Sequence, residues 1–208
     1  MTDKAEELHA VPTFLAKRLL LVATGSLGAT YLPFWVNWLR MAYPSLETRI
    51  VVTRSAQQFV TRGALVPLVG QEVLEDSWPS QPETKAKHVE LARWPDLVVV
   101  HPASFSFVGR LALGLADTPV TLALQCTEVG IVLAPALPPG GAESLAYRRH
   151  RDALAERDNI AVVDPIRAWS ATTRRPEATT AAPLPDVLRT AEALRARLAE
   201  RRVATHRN

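Results

Sequence analysis

A chain of 208 residues with 48% hydrophobic content, 22% charged residues and a formal charge of +3 is long enough for one domain with a sizeable core. No apolar run approaches the roughly 18 residues that span a bilayer, and aromatics do not interleave with the basic residues, so neither a membrane nor a nucleic acid is an expected partner. The single cysteine, Cys126, excludes an internal disulfide and suits a reducing cytoplasm.

Residues 1–17 read as a flexible leader, and the acids Asp3, Glu6 and Glu7 stand where a secretory signal would carry bases, so a cytoplasmic protein is expected. The continuous apolar run over 18–23 predicts a strand buried on both faces. A tight loop, Thr24-Gly25-Ser26-Leu27-Gly28-Ala29, follows, and apolar spacing predicts a helix over 31–41. A second strand is expected over 48–53, then a short helix over 55–61 with Ser55 at its N-cap. Residues 63–84 hold Pro67, Gly70, Pro79 and Pro82 and read as irregular.

A helix over 85–93 leads into a strand over 96–100 and a helix over 104–115. Thr118-Pro119 is a strong helix start. A strand over 130–134, a Pro/Gly-rich loop, a helix over 143–157 and a strand over 160–163 come next. Residues 166–183 lack any apolar period and read as a mobile loop. A C-terminal helix is expected within 184–208. Strands alternating with helices imply a single α/β domain over 18–165, a doubly wound parallel sheet of about five strands, Rossmann-like or flavodoxin-like.

Charge is unevenly spread. Residues 1–147 hold 11 Lys+Arg against 13 Asp+Glu, whereas residues 148–208 hold 13 against 8. An Arg-rich solvated helix explains this, and so does attraction to an acidic peptide or phosphate. The loop after the first strand suits a close-approaching anionic ligand, but a plain turn explains it too. A Ser55 hydroxyl at a helix start can hold a phosphate oxygen or merely cap. His88, on a polar helix, is a candidate proton carrier or a surface residue. His101 can face a ligand or serve as a hydrogen-bonded strand end. His9, His150 and His206 have no suggestive setting, and no Cys/His cluster suggests a metal.

Taken together, these segments resemble the homo-oligomeric flavin-containing cysteine decarboxylases. Thr24-Gly25-Ser26 with Gly28-Ala29 is similar to that family's first flavin loop. Thr53-Arg54-Ser55-Ala56 with Phe59 is similar to its T-x-S-A-x-x-F segment, whose Ser binds the flavin phosphate. His88-Val89-Glu90-Leu91 with Trp94-Pro95-Asp96 resembles the segment that carries its active-site base. Pro102-Ala103-Ser104 begins like its PASANT motif, Gly114 to Asp117 like its G-x-x-D, and Ala134-Pro135-Ala136-Leu137 like its A-P-A-M-N segment.

The resemblance implies FMN, with FAD as the alternative, held by Thr24, Gly25, Ser26, Gly28, Thr53, Ser55, Pro102, Ala103 and Ser104. It implies His88 as the base and no metal. Ser106, Pro135, Ala136 and Leu137 would meet the substrate, and Arg167, Arg174 and Arg175 would grip it from a clamp over residues 166–183. The substrate would be a precursor peptide with a C-terminal cysteine, decarboxylated oxidatively to an enethiol. Other peptide-modifying enzymes would be partners, and the assembly a trimer or dodecamer with flavin at subunit contacts. The motif amides are replaced by Ser106 and Pro138, which favours a peptide-modifying member over the pantothenate enzyme. A flavin prenyltransferase and a non-catalytic scaffold remain the other readings.

Overall fold

The computed structural model describes residues 11–81 and 84–205; His9 and His206 lie outside them. Six parallel strands form one sheet: β1 (Arg18–Ala23), β2 (Glu47–Val52), β3 (Leu74–Glu75), β4 (Leu97–Ser104), β5 (Gly130–Ala136) and β6 (Ile160–Val162), ordered β3-β2-β1-β4-β5-β6. Without the two-residue β3, the order is that of a flavodoxin-like doubly wound sheet. β1 is buried from Leu19 to Ala23, as the unbroken apolar run requires of a central parallel strand.

Two layers of helices cover the faces. Leu19, Leu21 and Ala23 of β1 point to one face. There they meet α1 (Leu32–Ala42), α2 (Arg62–Val69) and the long C-terminal helix, Leu184–Thr205, which is α7. Leu20 and Val22 point to the other. There they meet α3 (Lys87–Arg93), α4 (Phe105–Ala112), α5 (Pro119–Cys126) and α6 (Leu145–Ala155). The period-two alternation of one strand therefore feeds two separate cores. Thr118 caps α5 with a reciprocal bond to Thr121, as the Thr-Pro signal leads one to expect.

The structure corrects the sequence reading in four places. Residues 62–69 are helical despite Pro67. Thr61 accepts from the Ala64 N–H (3.2 Å), and Gly70, with φ at 72°, closes the helix by bonding to the Val66 carbonyl (2.9 Å). The Gly that looked like irregularity is the helix's own stop. Within residues 166–183, β7 (Ile166–Ala168) and β8 (Ala178–Thr180) form an antiparallel hairpin; backbone pairing, not side-chain burial, makes it. Both β4 and β5 run past their expected ends, pairing Ala103 with Pro135 and Ser104 with Ala136.

The fourth correction concerns the leader. Residues 11–17 are extended but packed: Phe14 is 9% exposed, with its ring 5.6 Å from that of Tyr43. The Tyr43 hydroxyl donates to the Pro12 carbonyl (2.7 Å), and the Leu15 N–H donates to Glu192 of α7 (3.0 Å). Pro12, Phe14 and Ala16 turn inward, but the exposed Val11 and Leu15 beside them are apolar too, so the alternation is masked in the sequence. Phe14→Ala should destabilise the fold by about 3 kcal/mol, read as an earlier urea midpoint at unchanged slope; a change within error would mean the segment is not part of the core.

Candidate active site

The sheet order reverses between β1 and β4. α1 follows β1 onto one face, and α4 follows β4 onto the other, leaving a crevice at the carboxyl ends of both strands. Thr24 holds the two loops together. Its buried Oγ1 donates to the Pro102 carbonyl (2.8 Å) and accepts from the Ser104 N–H (2.7 Å). A second tie runs from the Thr24 N–H to the Pro102 carbonyl (3.2 Å). Ser104 then caps α4 by accepting from the Phe107 N–H (3.3 Å). Thr24 and Ser104 thus spend much of their hydrogen-bonding capacity on building the crevice.

Next in the chain, Gly25 lies against Ser55. A Cβ on Gly25 would stand 2.5 Å from both Cβ and Oγ of Ser55, so no larger residue fits without moving the β2 loop. Ser55 stands at the start of a 3-10 turn (Ala56–Gln58), but its side chain caps nothing. Its Oγ pairs only with Thr53 Oγ1 (3.2 Å), while Thr53 Oγ1 accepts from the Ala56 N–H (3.2 Å). Thr53 does the local structural work and leaves Ser55 turned to the crevice.

The crevice holds about 800 Å³, within the range of ligand pockets. Gly25, Ser26, Gly28 and Ser55 line its inner end, with Ser104 and Ser106 on the β4 side and Ala136, Leu137 and Pro138 on the β5 side. The β7–β8 hairpin covers it, with Trp169, Ser170 and Thr180 facing inward. The hairpin is fastened by two backbone bonds between Leu137 and Thr179, each 3.1 Å. Thr179 Oγ1 is buried beside the crevice with no hydrogen-bond partner. Every lining side chain is apolar or hydroxylic, and none carries a formal charge.

Charge enters in an adjoining recess of about 320 Å³ that shares Thr53 and Ser55 with the crevice loop. Arg54 and Arg110 line it, with Asp76 and Thr118. Arg110 is held by Asp117 (2.5 Å). Asp76 is 5% exposed and accepts from the Val120 N–H at the start of α5 (2.9 Å); burial nonetheless raises its carboxyl above the usual range. Sequence reasoning missed Arg110 and Asp76, since their meeting with Ser55 depends on β3 and α4 reaching the same edge. Arg54, beside Ser55 in the chain, carried the available signal.

The structure brings together Gly25, Ser26, Gly28, Ser55, Ser104, Ser106, Ala136 and Leu137 in one crevice. Thr24, Thr53, Pro102, Ala103 and Pro135 are buried behind it. Arg167, Arg174 and Arg175 are exposed on the hairpin and do not line it. His101 is 4% exposed; its Nε2–H donates to the Ala182 carbonyl (2.9 Å), and its ring meets that of Trp35. It fastens α7's approach rather than facing a ligand. His88 stands elsewhere, edge-on to Trp78 at 5.8 Å, in a groove of about 560 Å³ that shares no lining residue with the crevice. Among the described residues, no cluster of three metal-ligating side chains exists, and no helix is long and apolar enough to cross a membrane.

Residues 13–194 match the family model described as Flavoprotein. The chain is 33% identical over 128 residues to the cypemycin cysteine dehydrogenase (decarboxylating) of a Streptomyces species, covering 62% of this chain and 67% of that protein. It is 33% identical over 121 residues to the Haemophilus influenzae coenzyme A biosynthesis bifunctional protein CoaBC, but that match spans only 30% of the larger protein. In structure it is similar to the cypemycin decarboxylase CypD (TM-score 0.75, 28% identity, 90% of this chain and 98% of that one). It is also similar to the FMN-dependent cysteine decarboxylase SpaF (TM-score 0.72, 27% identity, 86% and 97%).

Two outcomes follow for the site's framework. Gly25→Ala should force Ser55 outward and lower the thermal midpoint by several degrees, the shift that about 1–2 kcal/mol of overpacking produces; an unchanged midpoint would show that the loop yields freely. For His101, burial lowers the imidazole pKa, so the unfolded chain takes its proton first, near pH 6.5. Its contribution is complete above that pH and is lost as pH falls toward the folded value. The stability gap between wild type and His101→Gln, whose amide can also donate to Ala182, should therefore narrow below about pH 6.5. A constant gap would contradict a buried neutral His101.

Proposed function

Because this chain belongs to the flavoprotein family, we propose that it is an FMN-dependent enzyme that oxidatively decarboxylates the C-terminal cysteine of a ribosomal precursor peptide. The observation that carries the reading is the crevice itself. It has a serine hydroxyl not used as a cap, two guanidiniums in the recess adjoining that serine, uncharged walls along its length, and a hairpin over its mouth. The residues present fit a flavin. Gly25 clears the space beside Ser55 that a Cβ would fill, and the unpartnered Thr179 Oγ1 offers a polar contact in the wall. Ser55, with Arg54 and Arg110 nearby, would hold the phosphate, a doubly charged group that neutral hydroxyls alone bind weakly. Gly25, Ser26 and Gly28 would let the backbone approach the ring system.

Bound flavin supplies a two-electron acceptor, so that the peptide's thiol end can be oxidised to a thioaldehyde before CO2 leaves. The chain's own residues do the rest. His88 takes the substrate proton through a ring nitrogen, the proton-transfer role that imidazole fills most often in enzymes. Ser106 donates one hydrogen bond toward the carboxylate, where an amide would offer both donor and acceptor. The hairpin and the apolar walls exclude water, which strengthens each of these polar contacts. His88 opens into a groove apart from the crevice, so one copy's groove would close on another copy's crevice, making the active unit a homo-oligomer with sites at subunit contacts.

The purified protein should show a flavin absorbance band, and peptides ending in cysteine should lose roughly 46 Da, CO2 plus two hydrogens. His88→Asn should abolish the loss while keeping the band. A band without mass loss on any cysteine-terminated peptide would reject the substrate assignment, and an active His88→Asn would remove His88 from the chemistry.

A further inference from the structure

Within the basic C-terminal third, the arginines of α7 and those of the hairpin differ in what holds them. Those of α7 are engaged: Arg189 with Asp186, Arg195 with Glu192 (2.5 Å), Arg201 with Asp158 and Arg202 with Glu128 (3.7 Å). Those of the hairpin are not. Among the described residues, no ion pair or side-chain hydrogen bond engages Arg167, Arg174 or Arg175, and all three are exposed. The excess charge of the C-terminal third is therefore not an evenly solvated helix face. Part of the unneutralised charge, Arg167, Arg174 and Arg175, sits on the hairpin that borders the crevice.

The turn presenting two of these arginines is ordered. The Arg174 N–H donates to the Ser170 carbonyl, the Ser170 N–H donates to the Arg175 carbonyl (both 2.8 Å), and the Thr173 N–H donates to Ser170 Oγ (3.2 Å). Arg174 has φ at 54°, the left-handed region that glycine or asparagine occupies far more readily. A strained arginine in a turn that would accept glycine unstrained points to a use for its side chain. Trp169, 66% exposed, belongs to the same hairpin and lines the crevice.

These arginines lie outside a crevice that has no charged lining, so they meet what protrudes from it. We propose that the hairpin's outer face is a docking surface for an acidic stretch of the substrate peptide, lying a few residues before its terminal cysteine. This rests on the peptide reading given above. A chain leaving the crevice in extended form advances about 3.3 Å per residue, so residues close to the terminus pass Trp169 and reach Arg167, Arg174 and Arg175. Asp and Glu side chains there gain guanidinium partners that are already exposed and unpaired, with little desolvation cost.

The test is fluorescence anisotropy of the flavin-loaded protein with two labelled peptides. They are alike and end in serine, so that neither reacts, but one carries Asp and Glu upstream of the terminus where the other carries Asn and Gln. At low salt the acidic peptide should bind about tenfold tighter, the combined yield of three screened ion pairs. The difference should vanish in high salt and in the triple variant Arg167→Gln, Arg174→Gln, Arg175→Gln, which should bind the neutral peptide as wild type does. Equal binding of the two peptides by wild type, or an acidic preference that survives in the triple variant, would overturn the proposal. The same peptides ending in cysteine report the reaction by mass. Charge-dependent binding without any mass loss would reject the decarboxylase reading and leave the docking surface standing.

Discussion

One threonine hydroxyl sets the geometry on which the site depends. β1 and β4 are neighbours at the centre of the sheet, yet the chain leaves them toward opposite faces, and nothing in parallel pairing alone keeps the departing loops together. Thr24 Oγ1 does so by serving as donor and acceptor at once, with all of its partners in the Pro102–Ser104 segment. A hydroxyl is the smallest group able to play both parts. Here it is shielded from solvent, where leaving either partner unpaired would cost about 1–3 kcal/mol. The β4 loop is thereby placed to start α4, and the β1 loop to bring Gly25 against Ser55.

From that tie a division of labour follows along the crevice. Thr24, Thr53 and Ser104 take up the hydrogen bonds that the loops need internally, which leaves Ser55 and Ser106 available. Charge is kept out of the main cavity and gathered at two places: the recess with Arg54 and Arg110, and the outside of the hairpin. An uncharged interior suits a flat, largely apolar ring system and makes each hydrogen bond inside it count for more. A ligand that is anionic at its ends and neutral in its middle is the kind this layout favours.

Much of this was legible beforehand, and the reasons are specific. The run Leu19 to Ala23 is buried on both faces, so it had to be apolar throughout and announced itself. Thr118-Pro119 announced a helix start through its own local bonds. The small residues of the first loop and Ser55 were noticeable because close backbone approach permits few residue types. The elements that escaped notice carry no such signature. The hairpin is made by backbone pairing with Leu137, which any side chains allow. Phe14 docks with Pro12 and Ala16 from a segment whose exposed positions are also apolar, Asp76 meets Arg110 across many intervening positions, and α2 was disguised by Pro67 and by the glycine that ends it. That His88 stands apart from the crevice could not be read from one chain's order at all.

The margins of the sheet bear on how the protein behaves in a crowded solution. β3 has two residues and β6 three, and the Lys87 ammonium already binds the Glu75 carbonyl at the β3 margin (2.7 Å). An incoming strand would find almost no open ladder to extend, and a positive charge sits where it would begin. With a formal charge of only +3, mutual repulsion gives this chain modest colloidal protection. Resistance to fibrous growth is built instead into the shortness of its borders.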